Sequence, residues 1–304
     1  TNYLSIQKRN DRSMGTLQNR IAVITGGSRG FGLSVAEAFV RESACVAVAS
    51  RSSDSIRQAT DHILKLGGEA IGFTCDVGDP DQVSALADKT IQHFGRFDIW
   101  INNAGISAPY GPTADNTIEA FRKVVDTNIL GVYYGSITAV RHYLSQNASD
   151  RPFQGKLINI LGRGANRRVP MQNAYAASKA WNRNFTLAMA EEYKKEKFGI
   201  YAYNPGLMYT DMMEEVDVIE GYEYKVRPLQ LVMRLWAKPT HVPAKKMVWL
   251  ASSATDGRTG LDMKELGTAN MIKGLIREGL RRATRRSPSE WDFEVNSIPP
   301  AVEK

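Results

Sequence analysis

The sequence predicts an α/β fold: one doubly wound domain on a parallel sheet, with helices on both faces. Three observations predict it. Short apolar, β-branched runs alternate with amphipathic stretches of a dozen or so residues. A glycine-rich turn, TGGSRGFG at 25–32, separates the first run from the first stretch. No Pro/Ser-rich linker interrupts residues 21–262. Such alternation requires crossover connections, and right-handed crossovers between parallel strands place helices on both sides of a sheet.

Each element follows from its residues. IAVIT at 21–25 is a short buried strand, and after the glycine turn residues 33–41 form an amphipathic helix. Residues 45–49 are the next strand, and 54–66 a helix closed by Gly67 and Gly68. The strand at 70–75 leads to a helix over 81–94 that stops at Gly95, and 99–102 is a further strand. The remaining units are a long helix within 117–145, a strand at 156–161, a long helix over 173–197 and a strand at 200–203. Residues 211–240 break this rhythm, mixing Met212, Met213, Tyr222, Tyr224, Met233 and Trp236 with acids and bases. They are either a substrate loop or lid, or a helical excursion with its aromatics turned inward.

Composition narrows the function classes. With 43% hydrophobic and 23% charged residues over 304 positions, the chain has the balance of a globular protein. Its formal charge of +7 is concentrated at the ends. Residues 1–20 carry +3, 264–286 carry +5 and 287–304 carry −3, leaving +2 over 21–263. A nearly neutral body argues against a nucleic-acid binder. Cys45 and Cys75 lack CxxC spacing, and His62, His93, His142 and His241 are scattered, so no metal site or disulfide is expected. No run of about 18 apolar residues occurs, so no transmembrane span is expected. The N-terminus has no apolar signal core, but the chain begins at Thr1, which leaves a removed upstream segment open.

The glycine turn sits where dinucleotide binding requires it, between strand and helix. Gly26, Ser28, Gly30, Phe31 and Gly32 would let the backbone approach a pyrophosphate facing a helix N-terminus. After the second strand, where an acid would hold ribose hydroxyls, the chain has Arg51 and Ser52. Arg51 and Arg29 suit a 2′-phosphate through charge-assisted bonds, so the expected cofactor is NADPH. Tyr175 and Lys179 are four apart on one helical face, where an ammonium can stabilise a phenolate.

These motifs, with CDV at 75–77, NNAG at 102–105, Asn128, YAASK at 175–179 and NPG at 204–206, resemble the short-chain dehydrogenase/reductase family over nearly all of 20–262. The resemblance implies a Rossmann-type domain over 20–262, flanked by a polar tail (1–19) and a basic helical extension with a C-terminal tail (263–304). It implies that Tyr175, Lys179 and Asn128 are catalytic. Asp76 and Val77 would lie at the adenine, and Asn103, Ala104 and Gly105 along the ribose. Pro205, Gly206 and Thr210 would lie near the nicotinamide. It further implies a homo-oligomer. The family's usual serine, thirteen positions before the tyrosine, is replaced by Gly162, and no serine occurs between 155 and 170. A backbone N–H at 162–164, Arg163 or a water would then polarise the carbonyl; otherwise the protein is a non-redox cofactor-binding scaffold.

Within the family, SRSSDSI at 50–56, FDIWINNAG at 97–105, INILGRGANRRVP at 158–170 and NPGLMYTDM at 204–212 resemble chlorophyll b reductases of plants and their bacterial relatives. The implied substrate is a bulky hydrophobic carbonyl compound, chlorophyll b itself by this resemblance, held by Gly162, Arg163, Met212 and Met213. Another bulky aldehyde or ketone is the alternative. The implied compartment is the cytoplasm of a bacterium or the plastid of a plant or alga. On this reading Gly162→Ser raises activity on small ketones and spares the bulky formyl substrate.

In the extension, Met271, Ile272, Leu275, Ile276, Leu280 and Ala283 line one helical face, with Lys273, Arg277, Arg281, Arg282, Arg285 and Arg286 over much of the rest. The favoured expectation is packing on the body or a second subunit with the cations solvated. Peripheral contact with an anionic membrane through 270–286 is the alternative.

Overall fold

A computed structural model describes residues 15–146, 153–284 and 293–302, without side chains at 211, 212, 268–270 and 282. Residues 1–14 of the expected N-terminal tail, and Arg285 and Arg286, lie outside the described residues.

Seven parallel strands form the central sheet. They are β1 (Ile21–Thr25), β2 (Cys45–Ser50), β3 (Glu69–Thr74), β4 (Ile99–Asn102), β5 (Gly155–Ile160), β6 (Phe198–Asn204) and β8 (Leu261–Lys264), in the order β3-β2-β1-β4-β5-β6-β8. The order reverses between β1 and β4, and the carboxyl ends there form the crevice where such sheets bind ligands. Side chains alternate between two cores. Ile24, Val48, Ile101 and Ile158 meet α1 (Gly30–Arg41), α2 (Ser53–Lys65) and α9 (His241–Ala251). Val23, Ala47, Trp100 and Leu157 meet α3 (Pro80–Phe94), α5 (Gly131–Ser145) and α6 (Asn173–Glu192). Parallel strands covered on both faces must be apolar throughout, hence the unbroken apolar runs.

Three differences from expectation matter for function. The long helix expected over 117–145 is split into α4 (Ile118–Val125) and α5 by a π-turn at Asp126–Leu130, which carries Asn128. The extra residue per turn aims Asn128 inward, where its amide pairs with the backbone of Ile106. The stretch 211–240 is neither purely loop nor purely helix. It contains α7 (Asp211–Glu214), β7 (Glu215–Ile219) and α8 (Leu229–Trp236), and β7 pairs with a strand from the C-terminal tail, β9 (Glu294–Ile298). Finally, α10 (Thr268–Ala283) docks on α8 through its polar side, leaving its apolar face exposed. The helix thus packs on the body as expected for 270–286, but through its polar side: Arg277, while still exposed, donates to carbonyls at the end of α8.

Both cysteines are free thiols, pushed up to about 11 chiefly by burial. Among the described residues no helix is long and apolar enough to cross a membrane.

Candidate active site

In the glycine turn between β1 and α1, Gly26, Gly27 and Gly32 have no room for a side chain. Gly26 and Gly30 have φ of +62° and +54°, and a Cβ on Gly32 would overlap the carbonyl of Gly26. Helix α1 begins with Arg29 at its N-cap, without a side-chain cap and without an acid in its first turn. An N-terminus without a side-chain cap, facing a glycine-rich loop, suits a pyrophosphate, so the residues present fit a dinucleotide. Phe31 is buried beneath the turn, and Ser28 is half-buried within it.

Thr25, which the sequence reading left unassigned, braces this cradle. Its hydroxyl accepts from the amides of Asn103 (3.1 Å) and Ala104 (3.2 Å). Asn103 in turn donates its side-chain amide to the carbonyls of Thr25 and Gly26, both at 3.0 Å. The loop after β4 is thus tied to the glycine turn, and the Asn103 side chain acts as a strut. Asp76 closes its own turn by accepting from Gly78 (3.0 Å), and Val77 is buried against Gly131. Arg29 and Arg51 are exposed after β1 and β2, adjacent strands in the sheet. The Ser52 hydroxyl caps α2 by accepting from Ser55 (3.2 Å), which fixes the backbone that carries Arg51.

Tyr175 and Lys179 share the inner face of α6. Lys179 is buried and donates to the carbonyl of Ile160 at the end of β5 (3.1 Å), with its Nζ 5.7 Å from the Tyr175 ring centroid. Desolvation pulls the Lys179 ammonium down to about 8. Burial pushes the Tyr175 phenol up to about 12, and the Arg163 guanidinium pulls it partly back. A second buried lysine, Lys156, is also pulled down to about 8. It stands at the opposite end of β5, bound by the Ser252 carbonyl, the Thr255 hydroxyl and Asp256, and so is structural.

Asn128 accepts from the Ile106 amide (2.9 Å) and donates to the Ile106 carbonyl (2.9 Å) and Ser178 (3.0 Å). A Cβ on Gly105 would lie 3.4 Å from the Lys179 ammonium and 3.5 Å from the Asn128 amide oxygen, so Gly105 lies beside both. Gly162 faces the phenol directly: a side chain there would collide with the Tyr175 hydroxyl. Its carbonyl accepts from Asn204 (3.1 Å), whose amide oxygen accepts from Gly206 (3.0 Å), linking this loop to the turn after β6. Pro205 is buried in that turn, and Thr210 approaches the glycine loop, its methyl 3.7 Å from where a Cβ on Gly30 would stand.

A cavity of about 350 Å³ opens beside Tyr175, walled largely by apolar groups including Ala108, Pro109, Ile118, Phe121 and Met171. Met171 has φ +69°, a costly conformation for a long side chain, and its carbonyl accepts from Gly111 (2.9 Å). No sequence signal marks it. The adjoining wall is built by β7, which exchanges backbone bonds with Tyr110, and by β9 behind it. Met213 is half-buried on α7, and the Met212 side chain lies outside the described residues.

The family model for short chain dehydrogenases matches residues 20–219. The chain is 34% identical over 200 residues to the uncharacterized oxidoreductase YxnA of Bacillus subtilis, covering 65% of this chain and about half (54%) of that protein's length. It is 31% identical over 259 residues to 3beta-hydroxysteroid dehydrogenase 1 of Eggerthella lenta, covering 85% of this chain and 96% of that protein. Among solved structures, a short-chain type dehydrogenase/reductase from Mycobacterium marinum superposes with a TM-score of 0.69 at 30% identity, covering 82% of this chain and 94% of that one.

Proposed function

The chain belongs to the short-chain dehydrogenase family, oxidoreductases of alcohol and carbonyl groups, and we propose that it is an NADPH-dependent reductase of a bulky apolar aldehyde or ketone. The observation that carries this reading is the half-buried Tyr175 phenol, backed by the buried Lys179 ammonium and faced by Gly162. When bound, the nicotinamide supplies a hydride. Tyr175 gives its proton to the carbonyl oxygen as charge develops there, and the Lys179 cation lowers the energy of the phenolate left behind. Arg163, close enough to depress the Tyr175 phenol, is the donor best suited to polarise the carbonyl where the serine is missing. Asn128 acts by holding the Ile106 backbone beside Lys179.

The apolar cavity and the unobstructed face at Gly162 support a bulky substrate. The formyl group of chlorophyll b is the particular member of that class implied by the sequence resemblance. The test follows NADPH consumption with chlorophyll b, a steroid-sized ketone and a small ketone. Turnover of either large compound at about 10-fold higher kcat/KM than the small one supports the reading, and preference for the small ketone overturns it.

The exposed Arg29 and Arg51 support NADPH over NADH. Arg51→Ala is expected to raise KM for NADPH about 10-fold or more while leaving KM for NADH within about twofold. Equal effects on both cofactors in steady-state kinetics would contradict a 2′-phosphate role.

A pH dependence follows from Lys179. Its ammonium is present below about 8 and lost above it, whereas Tyr175 stays protonated to about 12. The reductive kcat/KM is therefore expected to fall as pH rises through about 8, and Lys179→Arg should remove that break.

A further inference from the structure

Helix α10 is mounted with its polar side inward. A Cβ on Gly274 would press on the end of α8, lying 2.8 Å from Cδ1 of the Trp236 ring. Around this close approach the indole of Trp236 donates to the Met271 carbonyl (3.2 Å), and Arg277 donates to the carbonyls of Arg234 (2.8 Å) and Leu235 (3.0 Å). Glu278, 8% exposed, pairs with Arg234 (3.3 Å) and Arg281 (2.8 Å). The opposite face carries Met271, Ile272, Leu275, Ile276 and Leu280, which are 40–62% exposed. A surface helix ordinarily turns such a stripe to the core.

We propose that this stripe is a docking face for an anionic lipid surface. The charge of the segment favours that occupant over a second copy of the chain. Residues 264–286 carry +5, and their two acids, Glu265 and Glu278, are committed to Lys238 and to Arg234 and Arg281. Two copies joined along the stripe would bring together two segments of the same net sign, each with its two acids already paired. Anionic headgroups complement the same charge: Lys273 is exposed beside the stripe, and the apolar side chains would enter the acyl boundary. Because α10 is bonded to α8, within the stretch that follows the active-site turn after β6, docking would bring the substrate side of the enzyme to the lipid. That consequence rests on the proposed apolar substrate; the docking itself does not.

The test uses the full chain with no cofactor or carbonyl compound, so its outcome is independent of the substrate assignment. Flotation is measured with phosphatidylcholine vesicles, with and without about 30% phosphatidylglycerol. Binding is expected to be at least ~10-fold stronger with phosphatidylglycerol and to weaken as salt is raised. The double variant Leu275→Ser/Ile276→Ser should reduce it ~10-fold, with the circular-dichroism spectrum and thermal unfolding of the chain unchanged. Lys273→Glu should weaken binding without altering the apolar stripe. Absence of binding, or equal binding of wild type and the double variant, overturns the proposal. So does a dimer in sedimentation velocity that the double variant abolishes, which would assign the stripe to a second copy.

Discussion

Replacing Tyr175 by phenylalanine is expected to lower kcat for carbonyl reduction by about 10²–10⁴-fold while leaving NADPH affinity within about twofold. The substitution removes one oxygen from a side chain whose ring stays packed on α6, so the fold has no reason to change. The expected loss reflects the absence, among the described residues, of another hydroxyl hydrogen-bonded to or facing Lys179. The Ser178 hydroxyl donates to the Tyr175 carbonyl and accepts from Asn128, and Gly162 carries none. Rapid-mixing measurement of NADPH oxidation, paired with a fluorescence titration of NADPH binding, separates chemistry from binding. Turnover within about threefold of wild type would remove Tyr175 from the chemistry. Tight NADPH binding by the wild type, without turnover on any carbonyl in a broad panel, would favour a cofactor-binding scaffold instead.

Gly162→Val should reduce reductive kcat/KM by about 10–100-fold, the range expected from forcing a side chain into filled space. The reason is local: a Cβ at this position collides with the Tyr175 hydroxyl. The phenol must move away, and its alignment with Lys179 goes with it. Thermal stability should fall only modestly, because the displaced atom is the far end of a side chain bordering an open cavity. Gly162→Ser introduces the same Cβ, so the structure revises the expectation that restoring the serine simply improves turnover of small ketones. The hydroxyl can help only after the phenol has retreated. A smaller loss for Gly162→Ser than for Gly162→Val, across both small and bulky substrates, is the expected pattern. Unimpaired activity of Gly162→Val would show that the phenol is not confined by this glycine.

The glycine turn, the two buried cores and the Tyr175–Lys179 pairing were legible in the sequence because each depends on local chemistry. Glycine spacing reports backbone approach, unbroken β-branched runs report strands covered on both faces, and an interval of four reports one helical face. Asn128 was named from a resemblance, but the π-turn that aims it inward was not visible, because a one-residue expansion of a helix leaves no trace in hydrophobic period. Met171 and Thr25 were missed for a similar reason: a positive φ at methionine and a hydroxyl shared between two loops arise from partners distant in sequence. Strand β7 was hidden because its partner, β9, lies 79 positions away in the register Glu215 to Glu294.

The amphipathic helix separates the two kinds of information most clearly. Its sequence determined that one face is apolar and that the segment carries +5. Which face meets the body was decided only in the tertiary structure, where Gly274 permits close approach and Arg277 and Glu278 find partners on α8. Periodicity records the chemistry of each face, but orientation depends on what the neighbouring element offers. Here α8 offers carbonyls and a guanidinium, so the polar face turns inward.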